Sequence, residues 1–290
     1  MNILGTGLSG LVGSRIVELL SDDTFEDLSL ETGVDITDYN IVNSRIGKSP
    51  AAWVFHFAAY TDVQGAEKEK SLGKNSLAWK INVLATENIV AACKQTGKKI
   101  IYIDTDYAFD GSKKEPYTEE DTPHPLGWYA MTKYEGAKRV LALGDQSVVI
   151  RIANPYRANP IGKKDFLHKM LERMQSGQTI AGATDQLFVP TFIDDIAAAL
   201  KALLKANATG LYHVVGSSSL SPYEAGRTIA RVWGIDESLV TETTFAQFFS
   251  GRAAIPQYAN LSNAKIHTLG IDMRTFEEGL REVKRMEYNK

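Results

Sequence analysis

The chain has 290 residues, 44% hydrophobic and 23% charged, the composition of an ordinary soluble globular protein with room for one large α/β domain or a domain with a smaller appendage. Lys+Arg 32 against Asp+Glu 35 leaves a net charge of −3, so no basic field marks a nucleic-acid binder, and a single cysteine excludes a disulfide framework or a multi-cysteine metal site. No apolar run reaches the length of a membrane span and no basic-then-apolar leader opens the chain, so a cytoplasmic enzyme with no membrane partner is expected.

A strand-like run over residues 2–4 precedes a helical pattern over 10–20, where Leu11, Val12, Ile16, Val17 and Leu20 recur. A second strand is expected at 28–30, a short helix at 39–46 and a third strand at 53–57. Helical spacing over 78–93 stops at Gly97, and KIIYI, residues 99–103, reads as a buried strand. A helix over 129–143 and a strand over 148–152 follow. This alternation predicts a parallel sheet covered by helices on both faces. Beyond residue 153 the rhythm loosens, with helices expected at 166–174, 192–204 and 222–233 and a strand at 210–215. The expected division is a first domain, 1–154, and a second part, 155–290, of which about 191–235 returns to the first core.

Residues 5–13 read GTGLSGLVG, so two phosphate-loop patterns overlap: Gly5-x-Gly7-x-x-Gly10 and Gly7-x-x-Gly10-x-x-Gly13. Either follows a strand and opens a helix, where glycines admit the backbone close to a pyrophosphate. The second strand is expected to end at Leu30-Glu31-Thr32-Gly33. A carboxylate there accepts from a ribose diol and repels a 2′-phosphate, so Glu31 leans the cofactor choice, NAD(H) or NADP(H), toward NAD(H).

Tyr129-Ala-Met-Thr-Lys133 places a tyrosine and a lysine on one helix face. Free tyrosine, with a pKa of about 10, exchanges protons poorly near neutrality, and a neighbouring ammonium favours the phenolate. Thr105 ends the KIIYIDT strand at the carboxyl edge of the sheet, where ligands of such folds bind. Its hydroxyl can hydrogen-bond a carbonyl held beside Tyr129.

Together these motifs resemble the extended short-chain dehydrogenase/reductases, and within them the dTDP-4-dehydrorhamnose reductase group. The resemblance spans nearly the whole chain: Phe57-Ala58-Ala59-Tyr60-Thr61, Asp104-Thr105-Asp106-Tyr107-Ala108-Phe109-Asp110-Gly111, the run from Pro125 to Lys133, Asp185-Gln186-Leu187-Phe188-Val189-Pro190-Thr191 and Gly210-Leu211-Tyr212-His213. It implies an α/β fold, a Rossmann-type doubly wound sheet with a smaller, discontinuous C-terminal part. It implies Thr105, Tyr129 and Lys133 as the catalytic set, with Tyr129 and Lys133 also touching the cofactor. Gly7, Gly10, Leu11 and Val12 would hold the pyrophosphate, Asp35 and Ile36 flank the adenine, and Ala58, Ala59 and Tyr60 line the dinucleotide. Thr105, Asp106 and Asn154 would meet the substrate. The implied activity is NAD(P)H-dependent reduction of a keto group on a nucleotide-linked 4-keto-6-deoxy sugar. Two other activities share this framework: a non-catalytic dinucleotide-binding subunit like the partner of methionine adenosyltransferase, and a nucleotide-sugar epimerase.

The chain departs from that group at several positions. Asp104 stands where the group has Ser, Ala130 where Gly is common, and Asn154 where the reductases carry a substrate-side tryptophan. Arg15 replaces an acidic residue that helps bind a dimer-bridging magnesium in some reductases. No metal is therefore expected, while a homodimer stays open to the chain. Tyr107 replaces the glutamate base of the related dehydratases, which removes that chemistry.

Other residues carry structural expectations. Cys93 reads as a buried thiol, and His56, His124, His168, His213 and His267 lack ligand spacing. Asn82, Trp53, Trp79 and Trp233 read as packing residues, while Trp128 is open to substrate contact. The charges over 67–70 and 113–120 read as solvated surface.

Overall fold

The structure, a computed structural model, describes residues 1–288. β1 (Asn2–Thr6) leads into α1 (Leu11–Leu19), and β2 (Thr24–Asp27) into α2 (Tyr39–Lys48). β3 (Trp53–His56) is followed by α3 (Val63–Lys68), α4 (Leu77–Trp79), a π-helical turn at Lys80–Leu84 and α5 (Ala85–Thr96). β4 (Lys99–Thr105), α6 (Trp128–Leu141) and β5 (Ser147–Ile152) come next. The second half holds β6 (Pro155–Tyr156), α7 (Phe166–Gln175), β7 (Ile180–Ala183), β8 (Thr191–Phe192), α8 (Ile193–Lys205) and β9 (Gly210–His213). It ends with α9 (Pro222–Trp233), β10 (Val240–Thr243), α10 (Phe245–Phe248), α11 (Ala264–His267) and α12 (Phe276–Tyr288).

The central strands are short apolar segments that pair in parallel in the order β2-β1-β3-β4-β5-β9. Alternate side chains feed opposite faces. Ile101 and Ile150 pack with Ile16 of α1 and Ile196 and Leu200 of α8. Ile100, Tyr102 and Val149 pack with Ile89 and Cys93 of α5 and Ala137 and Val140 of α6. The sheet is therefore buried on both faces, as a doubly wound fold requires. Its winding reverses between β1 and β3, which opens a crevice at their carboxyl ends.

A separate apolar core joins Leu167 and Leu171 of α7, Ile229 of α9, and Leu280 and Val283 of α12 around Tyr156. β7 and β10 pair in parallel beside it. The return to the first core is shorter than the expected 191–235: α8 and β9 join the central sheet, but α9 packs in the second core. Ile266 of α11 returns instead.

Two further boundaries differ from expectation. The second strand ends at Asp27, not at 28–30, because Ser29 N–H donates to Thr32 Oγ1 and Gly33 turns left-handed at φ 74°. The helix expected over 78–93 contains the π-helical turn, which carries Asn82 into the interior.

Candidate active site

The glycine loop sits at the switch point between β1 and β3. Gly7 has φ +67°, and a Cβ on it would lie 2.5 Å from Ala58 N. A Cβ on Gly13 would run into the Gly7 carbonyl, whereas one on Gly10 meets that same oxygen only at 3.3 Å. The pattern used is thus Gly7-x-x-Gly10-x-x-Gly13, with Gly5 packed against Leu8. Gly10 caps α1 with no side-chain hydrogen bond, and no acidic residue stands in its first turn. The amides of Leu11 and Val12 therefore keep the free donors and positive dipole end that suit a pyrophosphate. These features fit a dinucleotide.

Farther along the same edge, the carboxylate at the end of β2 is Asp27 rather than Glu31. Glu31 is exposed in a single 3-10 turn at Leu30–Thr32, beyond the strand. Asp27 Oδ1 is buried and has no hydrogen-bond partner among the described residues. Reading the strand boundary from Leu28 and Leu30 hid this residue; the charge pattern Glu26-Asp27 was the available signal. Asp35 is exposed and accepts hydrogen bonds from Thr37 N and Oγ1 at 2.9 and 2.7 Å. Ile36 is half-buried, its carbonyl held by Asn88 Nδ2 at 3.1 Å. Both lie in the turn after β2.

The loop after β3 is pinned from two sides. Ala58 N donates to Thr6 Oγ1 at 3.1 Å. Asn82 Oδ1 accepts from Tyr60 N at 2.8 Å, and its Nδ2 donates to Tyr60 O and to Thr132 Oγ1. Ala58, Ala59 and Tyr60 are half-buried along the crevice. Beneath them, buried His56 bridges Thr6 and Thr86 at 2.7 and 2.9 Å, and burial pushes it down to about 3, so it stays neutral.

Thr105 closes β4, while Tyr129 and Lys133 stand one turn apart on α6. Glu67 Oε2 caps the first amide of α6, from Trp128, at 2.8 Å. The expectation that Glu67 is merely solvated is therefore corrected, as it is for Glu119, whose carboxylate accepts from His213 N at 2.8 Å. Trp128 stacks on Trp79 with centroids 5.8 Å apart and donates from Nε1 to Ser76 Oγ.

Burial pushes the Tyr129 phenol well up, against the nearby Thr105 hydroxyl, while Asp106 and Asp104 reinforce the rise. Burial pulls Lys133 down to about 7, partly opposed by Asp104. No depression by Lys133 offsets this rise; burial sets the direction for Tyr129 in this cleft. Lys133 Nζ lies 4.0 Å from the centroid of the Tyr102 ring. Thr105 Oγ1 donates to Asp106 Oδ1 at 3.0 Å, and burial raises the Asp106 carboxyl to about 7. Asp106 Oδ2 has no partner among the described residues. Tyr107 meets Tyr129 edge-on at 6.3 Å.

Asn154, two residues past β5, is half-buried and has φ +41°. That left-handed backbone suits asparagine and strains a bulky aromatic, so the absence of tryptophan has a backbone correlate. Arg15 is engaged by Asp194 and Glu18 at 2.6 and 2.8 Å. Cys93 is buried and its thiol pushed up to about 12, as expected of an unreactive packing residue. No described helix is long and apolar enough to cross a membrane.

Known proteins resemble the chain along nearly its whole length. A crystal structure of a dTDP-4-dehydrorhamnose reductase from Clostridium acetobutylicum superposes with TM-score 0.89 at 30% identity, covering 99% of each chain. One from Bacillus anthracis, in complex with NADP, gives TM-score 0.87 at 27% identity, covering 97% of this chain and 98% of that one. Mouse methionine adenosyltransferase 2 subunit beta is 28% identical over 295 residues, 97% of this chain and 86% of that protein. Residues 1–288 match the family described as RmlD substrate binding domain, and the chain belongs to that family.

Proposed function

We propose that the protein is an NAD(P)H-dependent reductase of a nucleotide-linked 4-keto-6-deoxy sugar, of the dTDP-4-dehydrorhamnose type. The observation that carries this reading is the placement of Thr105, Tyr129 and Lys133 at one sheet edge, beside the glycine cradle. When bound, the dinucleotide supplies the hydride for the carbonyl carbon. Gly7, Gly10, Leu11 and Val12 hold its pyrophosphate, Asp35 and Ile36 its adenine, and Ala58 to Tyr60 its flank. Asp27, rather than Glu31, receives the ribose diol and carries the preference for NADH.

Thr105 Oγ1 orients the substrate carbonyl oxygen by turning its single proton from Asp106 to that oxygen, with Asp106 and Asn154 contacting the sugar. Tyr129 donates its phenolic proton to that oxygen as the alcohol forms, and its raised affinity for protons keeps it loaded at neutral pH. The Lys133 ammonium then stabilises the phenolate left behind.

The deciding experiment mixes the protein with NADH or NADPH and a panel of dTDP-4-keto-6-deoxy sugars, following reduced-cofactor absorbance. Stoichiometric oxidation that disappears in Tyr129→Phe is expected. Cofactor binding without oxidation of any sugar would instead make the chain a binding subunit, and sugar conversion without net oxidation an epimerase. The assembly proposed is a homodimer without a bridging metal, since Arg15 occupies Asp194 and Glu18; a monomer by light scattering at all concentrations would refute it. Cytoplasmic residence is supported by the lone buried thiol.

A further inference from the structure

Asp104 and Arg151 face each other in register on β4 and β5. Both lie on the sheet face covered by α6, since Tyr102 and Val149, two residues earlier on each strand, pack with Ala137 and Val140 of that helix. Arg151 Nε donates to Asp104 Oδ2 at 2.8 Å, and each residue is 1% exposed. The pair is incompletely satisfied: Asp104 Oδ1 and Arg151 Nη1 have no partner among the described residues. A buried ion pair with unmet polar atoms is a poor source of stability. Its location points elsewhere. Asp104 immediately precedes Thr105 and stands two residues beyond Tyr102, over whose ring the Lys133 ammonium sits.

We propose that Asp104 and Arg151 form a positioning pair that sets the proton load of Lys133 and Tyr129, and with it the pH above which the site stops donating. The inference rests on the reductase reading for its catalytic consequence, but its electrostatic content stands on the pair alone.

The neighbouring charges define the sign. Asp104 is the anion that opposes loss of the Lys133 proton, and it also disfavours the Tyr129 phenolate. From the turn after β4, Asp106 faces the same cleft with its carboxyl raised by burial, and Tyr107 stays protonated for the same reason. On β3 and β9, His56 and His213 are held neutral by burial. Asp104 is thus the one carboxylate of these groups that acts on both Lys133 and Tyr129 while bound to a cation, Arg151. Removing its charge leaves Arg151 as an uncompensated cation behind two groups that must carry protons. Both lose them at lower pH.

The test follows the Lys133 side-chain carbon resonance across pH in lysine-labelled protein, assigned with Lys133→Met. In Asp104→Asn the Lys133 midpoint is expected to fall by about one pH unit or more, with the alkaline limb of kcat moving the same way while KM for the sugar changes little. Asp104→Glu should restore both. If the single variant does not fold, Asp104→Ser combined with Arg151→Met removes the buried unpaired charge, and its Lys133 midpoint should still fall, by a smaller amount. An unchanged midpoint in a folded variant of either kind overturns the proposal. A shifted midpoint in a protein that reduces no sugar would instead leave the positioning pair intact and count against the reductase reading.

Discussion

Asn82 grips the main chain of Tyr60 from both sides, accepting from its N–H at 2.8 Å and donating to its carbonyl at 3.2 Å. The same amide reaches Thr132 on α6 at 3.0 Å, between Tyr129 and Lys133 in sequence. One buried side chain therefore ties the loop after β3 to α6, and the π-helical turn at Lys80–Leu84 is what brings it there. Asn82→Ala takes the side-chain partner from the half-buried Tyr60 N–H and carbonyl and removes a donor to Thr132 Oγ1, which still donates to the Tyr129 carbonyl. It should cost about 1–3 kcal/mol by chemical denaturation and weaken cofactor binding in fluorescence titration. Unaltered cofactor affinity would confine Asn82 to stability.

Gly7 is the position at which substitution should be most damaging. Its positive φ and the 2.5 Å approach to Ala58 N leave no room for a methyl group, whereas Gly10 meets only one atom, at 3.3 Å. Gly7→Ala is expected to lower dinucleotide affinity by about tenfold or more, equivalent to about 1.4 kcal/mol. Gly10→Ala should be the milder of the two. Calorimetric titration compares them, and equal losses would contradict the assignment of Gly7 to the turn.

Tyr129→Phe preserves the ring and removes the proton. Loss of a positioned acid should reduce kcat by about 10²–10⁴-fold, with dinucleotide affinity and melting temperature close to those of the parent. Retention of most of the activity would show that another group delivers the proton.

Asp27 and Glu31 make opposing claims on the ribose. Asp27→Asn should weaken NADH binding and narrow or reverse the preference over NADPH, by a repulsion of order 1 kcal/mol or more. Glu31→Gln, at an exposed site past the strand, should leave both affinities within about twofold. Parallel titrations with the two cofactors decide between them; a reversal of this ranking would restore Glu31.

His168 provides the clearest pH dependence of stability. It lies between Asp165 and Glu287 at 2.7 and 3.0 Å, and their carboxylates raise it to about 9 despite burial. A raised folded pKa means the contribution is complete below the ordinary value near 6.5 and fades as pH rises through 9. His168→Gln should therefore lower stability by roughly 2 kcal/mol near pH 6 and by little above pH 9.5. Urea denaturation at the two pH values measures the difference; a loss independent of pH would reduce His168 to packing.

The glycine loop, the Thr105 strand end and the Tyr129–Lys133 spacing were legible because each depends on local geometry. A left-handed turn selects glycine, a strand end sets the sheet edge, and a four-residue helical step aligns two side chains. The same locality accounts for the doubly wound sheet, whose apolar strands alternate with amphipathic helices. Local patterns failed where distant hydrogen bonds decide the outcome. Thr32 and Gly33 ended β2 before an apolar pair that otherwise reads as strand, and α9 joined the second core although it follows a strand of the first.

Composition and motif order by themselves determined the fold class and the cofactor class and singled out Thr105, Tyr129 and Lys133 as candidate catalytic side chains, since these follow from short-range steric and helical constraints. Only the tertiary structure decided which carboxylate meets the edge of β2, and that Glu67 caps α6. It alone revealed that Asp104 opposes Arg151, and that Tyr129 gains rather than loses proton affinity in the cleft. Each of these depends on burial and on partners brought together from distant parts of the chain. Desolvation acts on a group only once its surroundings have closed around it.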